Sequence, residues 1–448
     1  MKKLFGMVMV LAFAFSLAGC QPAATPTAVV QPATVVVQPT ETAVPAATAQ
    51  PQVVTIKFLG AQTTPEGVAG MNKMIAAFET KYPNIKIEME NMQGSDLDAI
   101  ASTLLTTSTG PDVVVRNPGP GYAGVWARAG QLLVLDKYAQ QYNWADRIFP
   151  IGLAQTTFDG HIYGIANSYE YAGLFWNKDL FSKLGLSVPT SYDDILTLCK
   201  TAQASGLYAL AFADKDQWEG SVVFATILSN MIGGDGIDNI LHGNGRWDTP
   251  EVIKSLQLAF VDMVKAGCYA PDPNSLAWED GNTLFWSGKT LMEPTGTWLI
   301  SEIPSTFNAG FMFFPAVPGG EGIFPASDLG GGYWINAKTL HPDEAAKWLD
   351  FMFSPEATKI WYEDLNTVPP VNIDSSSFNL NPLLKYSMQI IQNQKTGYNF
   401  DPLMPANFVS AEGSGFQAIM LGEKTPEQLA TELEKAWEDA LANGQTTK

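Results

Sequence analysis

Three histidines, His161, His242 and His341, are all that this 448-residue chain offers for imidazole chemistry. They stand far apart, with no H-E-x-x-H spacing to put two of them on one helical face around a metal. Gly288-Lys289-Thr290 has the ending of a phosphate-binding loop, but the nearest earlier glycine, Gly281, lies too far back and Trp286 interrupts the loop. Gly413-Ser414-Gly415 is too short for the G-x-S-x-G elbow that would present a nucleophilic serine. The carboxylate pairs Asp193-Asp194 and Glu363-Asp364 sit in amphipathic helical patterns, where a solvated polar face accounts for them. Cys20, Cys199 and Cys268 lack metal-ligand spacing, so no zinc framework is expected, and neither is any cofactor. One enzymatic possibility survives: a glycosidase, whose two carboxylates need proximity in space and not in the chain.

Cys20 carries a different chemistry. Lys2 and Lys3 precede an uncharged apolar run, Leu4 to Leu17, with the layout of a secretory signal. The run is shorter than the roughly 20 residues of a membrane span. It ends in Leu17-Ala18-Gly19-Cys20, which looks like the lipobox of bacterial lipoproteins, so residues 1–19 read as a signal peptide and Cys20 as the lipidated first residue. Residues 20–52 form a Pro/Ala/Thr/Val/Gln tract with Glu41 as its one charge. Regular proline favours extended polyproline backbone, so the tract reads as a spacer holding a body off a membrane. The body therefore works outside the cytoplasm, at the cell surface or in the periplasm. In that oxidising setting Cys199 and Cys268 are either a bridge or two buried thiols, and spacing does not choose between them.

The body has elements enough to position a site. The length suits two or three domains of roughly 100 to 200 residues. Hydrophobic residues are 46% and charged residues 16%, so a large core is expected. The net charge is −19, and an acidic surface repels phosphate backbones, so no nucleic-acid partner is expected. Val54, Ile56 and Phe58 alternate as a strand; Val68, Met71, Ile75, Phe78 and Tyr82 follow helical spacing after Pro65; Ile85, Ile87 and Met89 return to period two. Ser95 is expected to cap another helix before a strand that starts at Asp112. This alternation predicts an α/β class with largely parallel pairing. Helices are predicted over 193–204, 249–266, 342–353, 355–365 and 425–441, the last with Leu429, Leu433, Ala436, Trp437 and Ala440 as a docking stripe. Three glycine-rich, aromatic loops, starting at Arg116, Asp159 and Ser327, are the places where backbone can approach a ligand.

In chain order the segments TGPDVVV (109), DGHIYGIANSYEYAGLFWNKDLFSKLGLSVPTSYDDI (159), WSGKTLMEPTGTW (286), FPAVPGG (314), LGGGYWINA (329) and AAKWLDFMFSPEATKIW (345) resemble the extracellular solute-binding proteins of ABC importers, in particular the carbohydrate-binding family that includes maltose-binding protein. The resemblance implies a two-lobed α/β periplasmic-binding-protein fold with a hinged interlobe cleft. It places lobe I at 53–168 plus 334–379 and lobe II at 169–333 plus 380–448, with crossings near 167–170, 328–333 and 379–382. By position in the family pattern it implies ligand contacts at Glu170, Trp298, Arg116, Asn117, Trp218, Tyr333 and Gln62. Asp112 is read as a structural cap, and Trp348 and Trp361 as core. The implied function is capture of a mono- or oligosaccharide without chemistry and its delivery to an ABC permease, by a monomer held to the membrane only by its lipid. A chemoreceptor is the other partner this body serves. Arg116-Asn117-Pro118 and Val409 depart from the maltose-binding pattern, so other sugars, a glycerol phosphodiester or a polyamine stay open as ligands, beside the secreted carbohydrate-active enzyme.

Overall fold

A computed structural model describes residues 53–446 apart from 63 and 93; the signal-like segment, Cys20 and the spacer lie outside the described residues. Among the described residues no helix is long and apolar enough to cross a membrane. The body begins as its alternation dictates. Strand β1 (Val54–Gly60) sends Ile56 and Phe58 into the core, and the helix Pro65–Lys81 follows, with the Thr64 hydroxyl accepting from the Gly67 amide at 3.1 Å. Strand β2 (Ile85–Asn91) then pairs parallel with β1 along its whole length. The next helix, Gly94–Leu104, starts one residue before Ser95, so Ser95 lies inside it and does not cap it. Strand β3 (Val113–Arg116) lies parallel to β1, and Asp112 just before it acts as a structural tie: its Oδ2 accepts from the Lys57 amide at 2.8 Å, and its Oδ1 from the Thr339 hydroxyl.

A hairpin of β4 (Thr157–Phe158) and β5 (His161–Ile162) leads into β6 (Gly164–Ala166), the far edge of the first sheet. The second sheet is built on β7 (Tyr169–Asn177), with β8 (Tyr208–Leu210), β9 (Thr290–Gly296), β10 (Ala309–Met312) and β11 (Ala326–Leu329). The chain then returns to the first sheet as β12 (Gly332–Ile335), and β13 (Gly397–Tyr398) closes the edge of the second. The orders are β2-β1-β3-β12-β6 and β13-β11-β7-β9-β8, with β10 also on β7. The expectation of largely parallel pairing is corrected here. β12 runs antiparallel to β3 and β6, and β7 runs antiparallel to β9, β10 and β11. The reason is the exchange of chain between sheets: β12 enters from the second sheet and so arrives against the direction of β1 and β3.

The connectors between sheets are short and bonded to one another. The Asn167 amide donates to the Gly331 carbonyl at 2.7 Å, the Gly330 amide to the Ser168 carbonyl at 3.0 Å, and the Tyr169 amide to the Val368 carbonyl at 2.7 Å. A Cβ on Gly330 would sit 2.4 Å from both Glu170 Oε1 and Ser168 Oγ, so only glycine lets the two connectors lie this close.

Each sheet has its own core. Trp348 and Trp361 are buried on the helices Pro342–Met352 and Pro355–Glu363, the first against Phe58 and Phe78 and the second against Tyr333 and Phe353. Local caps place the helix starts. Ser191 and Asp194 make a capping box for Tyr192–Ala204, Ser354 caps the helix that begins at Pro355, and Thr425 with Gln428 caps Pro426–Ala442. That last helix buries Leu429, Leu433, Trp437 and Ala440. The single helix expected over 249–266 is instead a helix Pro250–Leu256, a π-helical stretch Gln257–Asp262 and a further turn Met263–Lys265. Cys199 and Cys268 form a disulfide with both side chains fully buried, which resolves the alternative left open by spacing.

Candidate functional site

A cavity of about 570 Å³ opens where the two sheets meet, within the range of small-molecule sites. From the first sheet, Arg116 and Asn117 reach it because β3 ends at Arg116 and the chain turns away. The Arg116 guanidinium lies 4.2 Å from the centre of the Trp126 ring and donates through Nη1 to the Tyr122 carbonyl at 3.1 Å. The Tyr122 hydroxyl, also at the cavity, donates across to Asp401 at 2.9 Å, which joins the two walls directly.

The opposite wall is aromatic. Trp298 lies two residues past the end of β9, Trp218 opens the buried helical segment Trp218–Leu241, which kinks at Gly233, and Trp278 opens the helix Trp278–Trp286. The Trp218 ring lies 5.0 Å from that of Trp278, tilted, and 6.0 Å from that of Trp298, edge to face, and all three line the cavity. Trp298 is seated by a glycine: a Cβ on Gly296 would lie 1.9 Å from its Cζ3. Glu302 Oε2 accepts from Trp278 Nε1 at 3.3 Å and from Asn282 Nδ2 at 3.2 Å, so the aromatic wall carries a carboxyl within it. Stacking faces beside carboxyl and amide groups can hold the C–H face of a ring and its hydroxyls together.

Of the seven residues expected at the ligand, Glu170, Trp298, Arg116, Asn117 and Trp218 line this cavity. Tyr333 does not. It is 1% exposed, with its ring among Phe58, Phe353 and Trp361, because β12 is buried on both faces and Tyr333 packs into the core on its own side. Gln62 does not line the cavity either. Its backbone amide donates to Asn91 Oδ1 at 3.1 Å, and its Oε1 lies over Gly67, so the side chain turns back to the start of the first helix while its neighbour Ala61 lines the cavity. Residues that sequence reasoning did not nominate also stand there, among them Tyr122, Trp278, Glu302, Asn399 and Asp401. Asp328, within the expected second crossing, is another. A tryptophan beside two acids at a helix start, as in Trp278-Glu279-Asp280, was the one local signal available for any of them.

The carboxyls at and behind this wall are held up by burial. Burial pushes Glu170 up to about 7, against a bond from the Ser168 hydroxyl. It pushes Glu302 up to about 7 against the Trp278 bond, and Asp214 up to about 7 against the Gly220 amide. Glu219, Glu293, Asp328 and Glu412 are raised well above the usual range, first by burial and then by neighbouring carboxyls. Such a group keeps in the folded state a proton that the unfolded chain has lost. Its contribution to stability is therefore whole below the ordinary carboxylate range and is lost as pH rises through about 7. The melting temperature of the ligand-free protein is expected to fall between about pH 5 and pH 8 at constant ionic strength. A flat or rising thermal-shift profile over that window would show that these carboxyls are not held protonated.

A family model described as bacterial extracellular solute-binding protein matches residues 61–359. An ABC transporter extracellular-binding protein of Pyrococcus horikoshii is 25% identical over 331 residues, 71% of this chain and 72% of that protein. The multiple sugar-binding protein of Streptococcus mutans is 25% identical over 316 residues, 66% of this chain and 70% of that protein. A solved structure of a chitin oligosaccharide binding protein matches with a TM-score of 0.74 at 22% identity, covering 87% of this chain and all of that one, a likeness of fold.

Proposed function

The chain belongs to the family of bacterial extracellular solute-binding proteins, and from that premise we propose that it captures a mono- or oligosaccharide in its cleft and delivers it to an ABC importer. The observation that carries this most is the Trp218–Trp278–Trp298 wall, three aromatic faces beside hydrogen-bonding carboxyls in a cavity of sugar size. The relatives named for sugars and for ABC transporters support it. A phosphodiester ligand has Arg116 in its favour but faces a largely acidic wall.

Capture needs no chemistry in this reading. Lobe I (53–168 plus 334–379) supplies Arg116 and Asn117, and lobe II (169–333 plus 380–448) supplies the tryptophans and most carboxyls. A ligand touching both walls stabilises the closed arrangement, and the Gly330-Gly331 connector takes up the change in backbone angles. The test is a panel of sugars followed by small-angle scattering and thermal shift. The cognate sugar should reduce the radius of gyration and stabilise the fold by about 2.7 kcal/mol at 100 times Kd, and it should be recovered unchanged. Cleavage of the sugar would instead favour the glycosidase, and stabilisation with an unaltered scattering curve would place the ligand outside a hinged cleft.

The body is proposed to act as a monomer, tethered through Cys20 and its proline-rich spacer. A Cys20→Ala protein is expected to leave the membrane fraction still folded, and its retention there would overturn the lipid anchor.

A further inference from the structure

Six carboxyl side chains line the cleft, Glu170, Asp216, Glu279, Glu302, Asp328 and Asp401, against one cationic side chain, Arg116, among the described residues. A neutral sugar needs hydrogen-bonding groups of either kind, so this imbalance asks for a further cause. Two of the acids are placed with particular force. Glu170 on β7 and Asp328 on β11 are directly opposite partners in an antiparallel pair, where the two cannot ionise together without repulsion unless a cation lies beside them. Both line the cavity.

The neighbours of this pair do not neutralise it. Asp328 is 5% exposed; its Oδ2 accepts from Asn399 Nδ2 at 3.0 Å, and its Oδ1 has no hydrogen-bond partner. Glu170 Oε1 accepts from Ser168 Oγ at 2.5 Å. The charges that act on Asp328 are those of Glu170 and Asp401, both acidic. Among the described residues no lysine, arginine or histidine pairs with Glu170, Asp328 or Glu302. A buried carboxyl oxygen with no donor is costly unless something else supplies the donor.

An aromatic face belongs to the same end of the sheet. Ala172, two residues after Glu170 on β7, lies opposite Gly296, and Trp298 follows two residues later. A positively charged group near Glu170 and Asp328 would therefore also be within the reach of a tryptophan ring, whose face attracts cations.

We propose that the cognate saccharide carries a protonated amine, and that the opposed Glu170–Asp328 pair is the subsite for its ammonium group. An ammonium brings donors for the unpartnered oxygen and a charge that offsets two carboxylates, and its hydrogen bonds to them are about twice as strong as neutral ones. This inference rests on the sugar reading above.

The test uses the mature protein at fixed pH and salt, by titration calorimetry, with sugars that differ only at one carbon. The probes are the β-1,4-linked glucosamine disaccharide, its N-acetylated form and cellobiose, together with glucosamine, galactosamine and mannosamine beside their N-acetyl and hydroxyl parents; spermidine is the amine that is not a sugar. At least one amine-bearing sugar should bind ten times or more tighter than both of its neutral parents, and in Asp328→Asn the ratio of amine to neutral parent should shrink to less than threefold. A neutral parent that binds as well as every amine overturns the inference and leaves the sugar reading standing. Binding of spermidine and of no sugar overturns the sugar reading and with it the proposal, and silence from every amine-bearing sugar overturns the proposal outright. Asp328→Asn keeps the side-chain shape and removes the group that would ionise against the ammonium; if it does not fold, Glu170→Gln supplies the same comparison.

Discussion

Truncating Trp298 to Ala will weaken binding of the cognate sugar by about thirtyfold or more and leave the circular dichroism spectrum unchanged. The size follows from what the ring does. It is half-buried at the edge of the cavity, edge to face with Trp218 at 6.0 Å, and held in place by the absence of a side chain at Gly296. A seated aromatic of this kind loses little freedom when a sugar ring stacks on it, and losses at such anchors commonly exceed 2 kcal/mol, which is about thirtyfold in affinity. The fold should survive because Trp298 lies on the cavity wall, unlike Trp348 and Trp361, which are enclosed in the first core. Calorimetry on the variant decides the point. Affinity within about twofold of wild type, less than 0.5 kcal/mol, would mean that the ring does not stack on the ligand.

The parts of this site that could be read in advance are those whose signals are local. Strand β1, the helix after Pro65 and the helices expected over 355–365 and 425–441 follow from spacing within a few residues, and the structure has them at Val54–Gly60, Pro65–Lys81, Pro355–Glu363 and Pro426–Ala442. Glu170, Trp298 and Trp218, which line the cavity, were nominated by a different route, through the order of motifs along the whole chain. What failed is long-range or two-sided. The helix Trp218–Leu241 is buried on nearly every face, so it has no amphipathic period to betray it. Tyr333 lies in the connector region as expected, yet β12 is buried on both faces and its ring packs into the core on its own side, and no local cue distinguishes that side from the cleft. Trp278, Glu302, Asp328, Asn399 and Asp401 meet only because separate elements converge, and their spacing in the chain records none of it. Pairing direction failed for the same reason: β12 reads as any other strand until its sheet of origin is known.

Removing the Cys199–Cys268 bridge by the double replacement Cys199→Ala, Cys268→Ala will lower the stability of the body by about 4 kcal/mol. The two cysteines are 69 residues apart. In the chain-entropy model, closing a loop of that length restricts the unfolded ensemble by about 4 kcal/mol at 25 °C, and native bridges commonly return 2 to 5. Alanine is the suitable replacement because both positions are fully buried, where a serine hydroxyl would need a partner. The expected fall in melting temperature is roughly 5 °C, at a little over 1 °C per kcal/mol for a body of about 400 residues. The loop enclosed by the bridge contains Asp216, Trp218 and the buried helix that Trp218 opens, so the second lobe's wall of the cleft depends on it for stability. Its geometry does not pass through the bridge, since the sulfurs lie in the core of that lobe and do not line the cavity. Sugar affinity measured well below the melting temperature should therefore stay within about twofold, while heat or protease separates the two proteins sharply. Scanning calorimetry with and without reductant on the wild-type chain gives the same comparison without mutation. Equal melting temperatures, once thiol titration has shown the bridge reduced, would mean that the unfolded chain is already restricted by other means and that the loop-closure argument fails here.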